Sequence, residues 1–221
     1  MKIRGWRIAL IKLCAISAGV ALVTEYPQAA DRPVNIVAFG DSLTAGYGLP
    51  AKEAFPAQLQ RALSAKGFAV NVVNAGVSGD TSAGGLARLD WSVPDDTDAV
   101  ILELGANDAL RGFDPAIPRK ALGTMLHRLG ERNIPVLLCG MVAPPNMGDD
   151  YSRAFNSIYP DLAAEAGAIL YPFFLTGVAA DPKLNQGDGL HPTAAGVAVI
   201  VDRILPQVEE LIARAKRPRR D

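Results

Sequence analysis

Histidine and cysteine are scarce in this chain, with two of each among 221 residues. Aromatic residues are few as well, and neither sign of charge dominates: 22 Lys and Arg stand against 23 Asp and Glu. A near-neutral balance leaves no electrostatic footprint for nucleic acid, so no nucleic-acid partner is expected. Internal repeats and low-complexity tracts are missing too, and no linker divides the chain after residue 30. What remains, residues 31–216, is one domain of ordinary size, long enough to bury a core. The basic run Lys216-Arg217-Pro218-Arg219-Arg220 closes the chain, and residues 217–221 are expected to be a solvated tail.

The first thirty residues have a different character. Lys2, Arg4 and Arg7 precede a mostly apolar stretch over 8–23, and the small residues Ala29 and Ala30 stand just before Asp31. Basic, apolar and small residues in that order predict a signal peptide over 1–30, hence a periplasmic or secreted protein. Lys12 interrupts the apolar run. The alternative is an uncleaved N-terminal anchor, the one expected point of membrane contact, although the run is short for a full span. Cleavage would remove Cys14 and leave Cys139 alone, so the mature chain would have no intrachain disulfide. Cys139 follows Val136-Leu137-Leu138 and is expected to be an inert core residue.

Five short apolar runs, over 34–39, 70–75, 99–104, 134–140 and 168–172, alternate with helical patterns over 55–66, 117–132 and 152–166. A last helix is expected over 193–216, with Pro206 inside it as a candidate kink. Continuous apolar runs of this length suggest strands buried on both faces. Strand and helix in alternation predict an α/β sandwich around a doubly wound parallel sheet. In such sheets ligands bind beyond the carboxyl ends of the strands.

Four blocks lie at those ends. The first strand runs into Gly40-Asp41-Ser42-Leu43, which puts a serine on the catalytic edge without the G-x-S-x-G spacing of α/β-hydrolases. By itself the triplet fits a capping serine equally well. The second strand leads to Ser78-Gly79-Asp80-Thr81, where Gly79 can turn a bare backbone N–H toward a ligand and Asp80 or Thr81 can cap a helix; an ordinary turn glycine fits as well. The third opens into Gly105-Ala106-Asn107-Asp108. The Asn107 amide can hold a developing oxyanion or merely cap the next segment, and Asp108 is expected to be structural. Glu103, a carboxylate in a buried strand, needs a partner; an ion pair with Arg88 or Arg111 is expected. The fourth block is Asp188-Gly189-Leu190-His191. His127 falls among polar helical positions, so His191 is the candidate general base, with Asp188 three residues earlier able to fix its tautomer.

Together, Ser42, Gly79, Asn107 and His191 resemble the SGNH (GDSL) hydrolase family, whose name spells those four residue types, in the family's order and over nearly the whole domain. Segments 78–81, 84–89, 103–112 and 143–148 resemble its bacterial arylesterase and acyl-thioesterase/lysophospholipase branch. That resemblance implies a flavodoxin-like three-layer α/β/α sandwich with a five-stranded parallel sheet. It implies a Ser42, Asp188, His191 triad, and an oxyanion hole made by the N–H groups of Ser42 and Gly79 with the Asn107 amide. The implied substrates are small-molecule or lipid acyl esters and thioesters: aryl esters, acyl thioesters or lysophospholipids. No metal or organic cofactor is expected. Pro145, Asn146 and Met147, after the fourth strand, are candidate substrate contacts. The rival readings are a carbohydrate acetylesterase of the same family, metal-assisted phosphoester hydrolysis through Asp41, Asp108, Asp188 and His191, and a non-catalytic binding module.

Overall fold

The computed structural model describes Met1 and residues 32–216; the expectations for 1–30 and 217–221 lie outside the described residues. The five apolar runs form β1 (Val34–Gly40), β2 (Val70–Gly76), β3 (Ala99–Glu103), β4 (Val136–Cys139) and β5 (Ile169–Tyr171). They pair as one parallel sheet in the order β2-β1-β3-β4-β5. Eight α-helices connect or follow them: α1 (Ser42–Ala45), α2 (Phe55–Ala65), α3 (Ser82–Ser92), α4 (Ala106–Leu110), α5 (Ala116–Glu131), α6 (Asp149–Asn156), α7 (Ile158–Ala166) and α8 (Ala194–Ala215). Helix α2 packs on α8 over one face, while α3, α5 and α7 form a row over the other. The result is the expected three-layer sandwich.

Burial on both faces explains the apolar spelling of β4 and of β3 up to Glu103; every residue of both strands is buried. Strand β2 departs from that expectation. It lies at the sheet's edge, and Asn71, Val73 and Asn74 are exposed. Cys139 is a free, fully buried thiol at the end of β4, as its sequence neighbours suggested.

Two helical expectations are refined. The stretch 152–166 is not one helix but two, α6 and α7, which meet at Ser157. Pro160 explains the interruption: it has no N–H for the carbonyl of Asn156, and as the third residue of α7 it falls in a first turn that tolerates proline. Helix α8, in contrast, continues through Pro206. An interior proline costs a helix about 3 kcal/mol. Here seven aliphatic side chains, from Val197 to Ile212, are buried along α8, and each contributes about 1.5–3 kcal/mol, so packing outweighs the proline.

The strand order reverses direction between β1 and β3, and the carboxyl ends of those two strands deliver Ser42 and Asn107 to the same place.

Candidate active site

Ser42 is the first residue of α1, immediately beyond β1. The turn that carries it is held from beneath. Asp41 caps the helix, its Oδ1 accepting from Leu43 N at 3.0 Å. Glu103 Oε2 accepts from Thr44 Oγ1 at 2.7 Å and from Asp41 N at 3.3 Å. Such close approach requires a glycine at position 40, because a Cβ there would collide with Thr44 Oγ1 and Glu103. Glu103 therefore does not make the expected ion pair. Burial first, then the Asp41 carboxylate, pushes its pKa well above the usual carboxylate range; Oε2 is held by the Thr44 hydroxyl and the Asp41 N–H, while Oε1 is buried without a partner among the described residues. Arg88 instead meets Asp80 Oδ2 at 2.6 Å and the carbonyls of Ala75 and Gly40 at 2.9 Å each, with its guanidinium 4.1 Å from the Phe39 ring centre. Arg111 donates to the Gly79 carbonyl at 3.0 Å.

Gly79 adopts φ +84°, a conformation that L side chains rarely take, and it is exposed. Neither its N–H nor that of Ser42 has an acceptor among the described residues. Thr81 is the cap of α3, accepting from Gly84 N at 3.2 Å. Asp108 binds the start of the same helix, taking Ser82 Oγ at 2.6 Å and Ser82 N at 2.8 Å, which is the structural role expected of it. Asn107 sits in α4, a short helix that no apolar periodicity announces. Its Nδ2 donates to the Asp80 carbonyl at 2.9 Å and to Asp41 Oδ2 at 3.1 Å.

His191 Nε2 lies 2.9 Å from Ser42 Oγ, and its Nδ1 lies 2.6 Å from Asp188 Oδ2. The other Asp188 oxygen accepts from Leu190 N at 2.9 Å and His191 N at 3.0 Å. These backbone donors and the imidazole pull the Asp188 pKa down to about 2, so it is a carboxylate at neutral pH. The loop folds back on itself: Gln186 N donates to the His191 carbonyl at 2.7 Å, and Gln186 Nε2 reaches the carbonyls of Tyr47 and Pro192. The Tyr47 ring lies against the imidazole, with centroids 4.5 Å apart. His127 is exposed on α5 beside Glu131 and has no part in the site.

A cleft of about 550 Å³ opens beside Ser42, Asn107 and His191, with walls that include Leu110, Met141, Val142, Pro145 and Phe173. Pro145 thus faces it, while Asn146 and Met147 are not among its lining residues. The wall's start is pinned from α6, where Asn156 Oδ1 accepts from Ala143 N at 2.9 Å. Leu175 and Leu190 line the cleft as well; with Leu110 and Phe173 they come from three separate segments, so only the fold could join them. Asp41 was open to discovery, since an Asp before a helix-starting Ser is a strong capping signal.

A serine hydroxyl bonded to an imidazole that is itself bonded to a carboxylate is equipped for nucleophilic attack on an acyl carbon. The unengaged N–H groups of Ser42 and Gly79 and the Asn107 amide supply donors on the same edge. Among the described residues no three His, Cys, Asp or Glu side chains converge to hold a metal ion.

Comparison with known proteins is consistent in direction. Residues 38–199 match the model of the GDSL-like lipase/acylhydrolase family. The chain is 39% identical to esterase TesA of Pseudomonas aeruginosa over 198 residues, 89% of this chain and 98% of that one. It is 39% identical over 194 residues to thioesterase 1/protease 1/lysophospholipase L1 of Escherichia coli K12, covering 87% of this chain and 90% of that one. Among solved structures, the SGNH-hydrolase family esterase AlinE4 shares 48% identity at a TM-score of 0.69, with 81% of this chain and 96% of that one covered.

Proposed function

The chain belongs to the GDSL-like lipase/acylhydrolase family, and from that membership we propose a serine mechanism in which Ser42, His191 and Asp188 hydrolyse carboxylic esters and thioesters. The protein is an ester hydrolase; the assignment of roles within it is our reading. The observation that carries the reading is the continuous line Ser42 Oγ, His191, Asp188, with contacts of 2.9 and 2.6 Å.

His191 takes the Ser42 proton as Oγ attacks the acyl carbonyl. Asp188 keeps Nδ1 protonated and stabilises the imidazolium. The oxyanion is received by the N–H groups of Ser42 and Gly79 and by the Asn107 amide. The imidazolium then protonates the departing alcohol or thiol, and water, activated by the same imidazole, releases the acid from the acyl-enzyme. The apolar walls of the cleft, Leu110, Val142 and Pro145 among them, favour acyl chains or aryl groups over the sugar-facing surface that a carbohydrate acetylesterase needs. Aryl esters, acyl thioesters and lysophospholipids fall within that description.

The test is hydrolysis of p-nitrophenyl esters from acetyl to palmitoyl by wild type and Ser42→Ala. We expect an optimum beyond acetyl and no measurable turnover in the variant. Full activity in Ser42→Ala would end the serine assignment, and an acetyl optimum would favour the acetylesterase.

Residues 1–30 act in this reading as a signal peptide that delivers the enzyme to the periplasm or the medium. No helix among the described residues is long and apolar enough to cross a membrane. The mass of the enzyme recovered from periplasm and medium checks it: an intact N-terminus on a membrane-bound product would instead indicate the anchor.

A further inference from the structure

Asp41 is fully buried one residue before the nucleophile, and both of its oxygens accept hydrogen bonds. Oδ1 receives Leu43 N, which is all that a helix cap requires. Oδ2 receives the Asn107 amide at 3.1 Å, across a sequence separation of 66 residues. We propose that Asp41 is a positioning residue for ester hydrolysis, holding the Asn107 amide with its NH2 group toward the oxyanion. This rests on the reading above in which Asn107 is an oxyanion donor.

The argument is one of donors and acceptors. An asparagine amide is nearly symmetric in shape, so its neighbours decide which end is oxygen and which nitrogen. At Asn107 both neighbours on this side are acceptors, the Asp80 carbonyl and Asp41 Oδ2, so only the NH2 group fits. The bond to Asp80 holds one hydrogen at 2.9 Å. The second, held at the longer distance by Asp41, is the one that a developing oxyanion can share.

Asp41 is itself held on every side. Its backbone N–H donates to Glu103, its side chain caps α1, and no face of it is open to solvent. Burial raises its pKa to about 6, while Leu43 N, the Asn107 amide and the charge of His191 act in the opposite sense and Asp108 adds to the rise. Above that value it is a charged acceptor, which makes the stronger bond to the amide.

Two substitutions separate positioning from capping. Asn at 41 must turn an NH2 group toward either Leu43 N or the Asn107 amide, and both are donors. Ser at 41 keeps an oxygen for the cap and removes only the acceptor for Asn107. We would measure kcat and KM on p-nitrophenyl butyrate for Asp41→Asn, Asp41→Ser and Asn107→Ala, and for each Asp41 variant combined with Asn107→Ala.

A single oxyanion donor is worth roughly 10²–10³-fold in turnover, so misorienting it should lower kcat by about tenfold or more with KM nearly unchanged. On the Asn107→Ala background the same Asp41 substitution should cost less than about twofold further, because the two residues act as one. A merely structural Asp41 would give losses that multiply, and that result overturns the proposal. So does Asp41→Ser with wild-type kcat. If Asp41→Asn fails to fold, Asp41→Ser carries the test, since its cap is intact. An Asn107→Ala enzyme with wild-type kcat would fail differently, by removing Asn107 from the oxyanion hole.

Discussion

Two aspartates serve the same serine from opposite surroundings. Asp41 lies beneath the nucleophile with no solvent exposure, packed against Glu103 and the Asn107 amide. Asp188 stands on a surface loop with its side chain 37% exposed, supported by two backbone N–H groups and the imidazole. Their pKa values move apart accordingly, Asp41 up to about 6 and Asp188 down to about 2. One residue type thereby does two jobs: a permanently charged partner for His191, and a buried acceptor whose charge depends on pH. Environment rather than identity separates the roles of paired carboxylates.

The largest effect should come from removing what both serve. Ser42→Ala is expected to lower kcat by about 10⁴-fold or more, measured on a p-nitrophenyl ester with protein freed of wild-type contamination. Next is the exposed partner: Asp188→Asn preserves shape but lets Nδ1 give up its proton, and kcat should fall by roughly 10³–10⁴-fold. Should Asp188→Asn cost less than Asn107→Ala, which should lose roughly 10²–10³-fold, the ranking of loop above oxyanion hole would be reversed.

The smallest effect concerns stability. Asp41 and Glu103 bind protons more tightly in the folded chain than in the unfolded one. Folding therefore takes up protons between the usual carboxylate range and about 6 for Asp41, higher for Glu103, and stability falls as pH rises through that window. Asp188 contributes in the other sense: its share is present above the usual carboxylate range and is lost as pH falls toward about 2. Melting curves should thus show Tm rising by a few degrees from about pH 8 to about pH 5. Glu103→Gln should flatten that rise, and an unchanged slope would show that the buried acids are not its source.

The fold was largely legible because strands buried on both faces spell themselves as unbroken apolar runs, as in Val136-Leu137-Leu138-Cys139. The same rule overreached at β2, whose run is apolar enough but borders only one strand. Helix α4 was hidden because five residues give no period to read. In the site, Ser42, Gly79 and Asn107 follow strands and Asp188 with His191 stands in the loop before α8; each block alone fitted a structural role, and it was their conjunction, with its resemblance to the SGNH blocks, that named them. Their partners could not be named. Glu103 was expected to seek arginine because a buried carboxylate needs a partner, and nothing in the sequence says that the Thr44 hydroxyl and the Asp41 N–H lie beside it; the Tyr47 ring against His191 joins residues 144 positions apart.

The break at Ser157 reaches further than helix geometry. Asn156 ends α6 there and pins Ala143 at the start of the cleft wall. The outline of the substrate chamber is therefore written partly in a proline, Pro160, that touches none of the reacting groups. A change at the α6–α7 break would reach the cleft wall through the bond from Asn156 to Ala143 without passing through the Asp188–His191 loop.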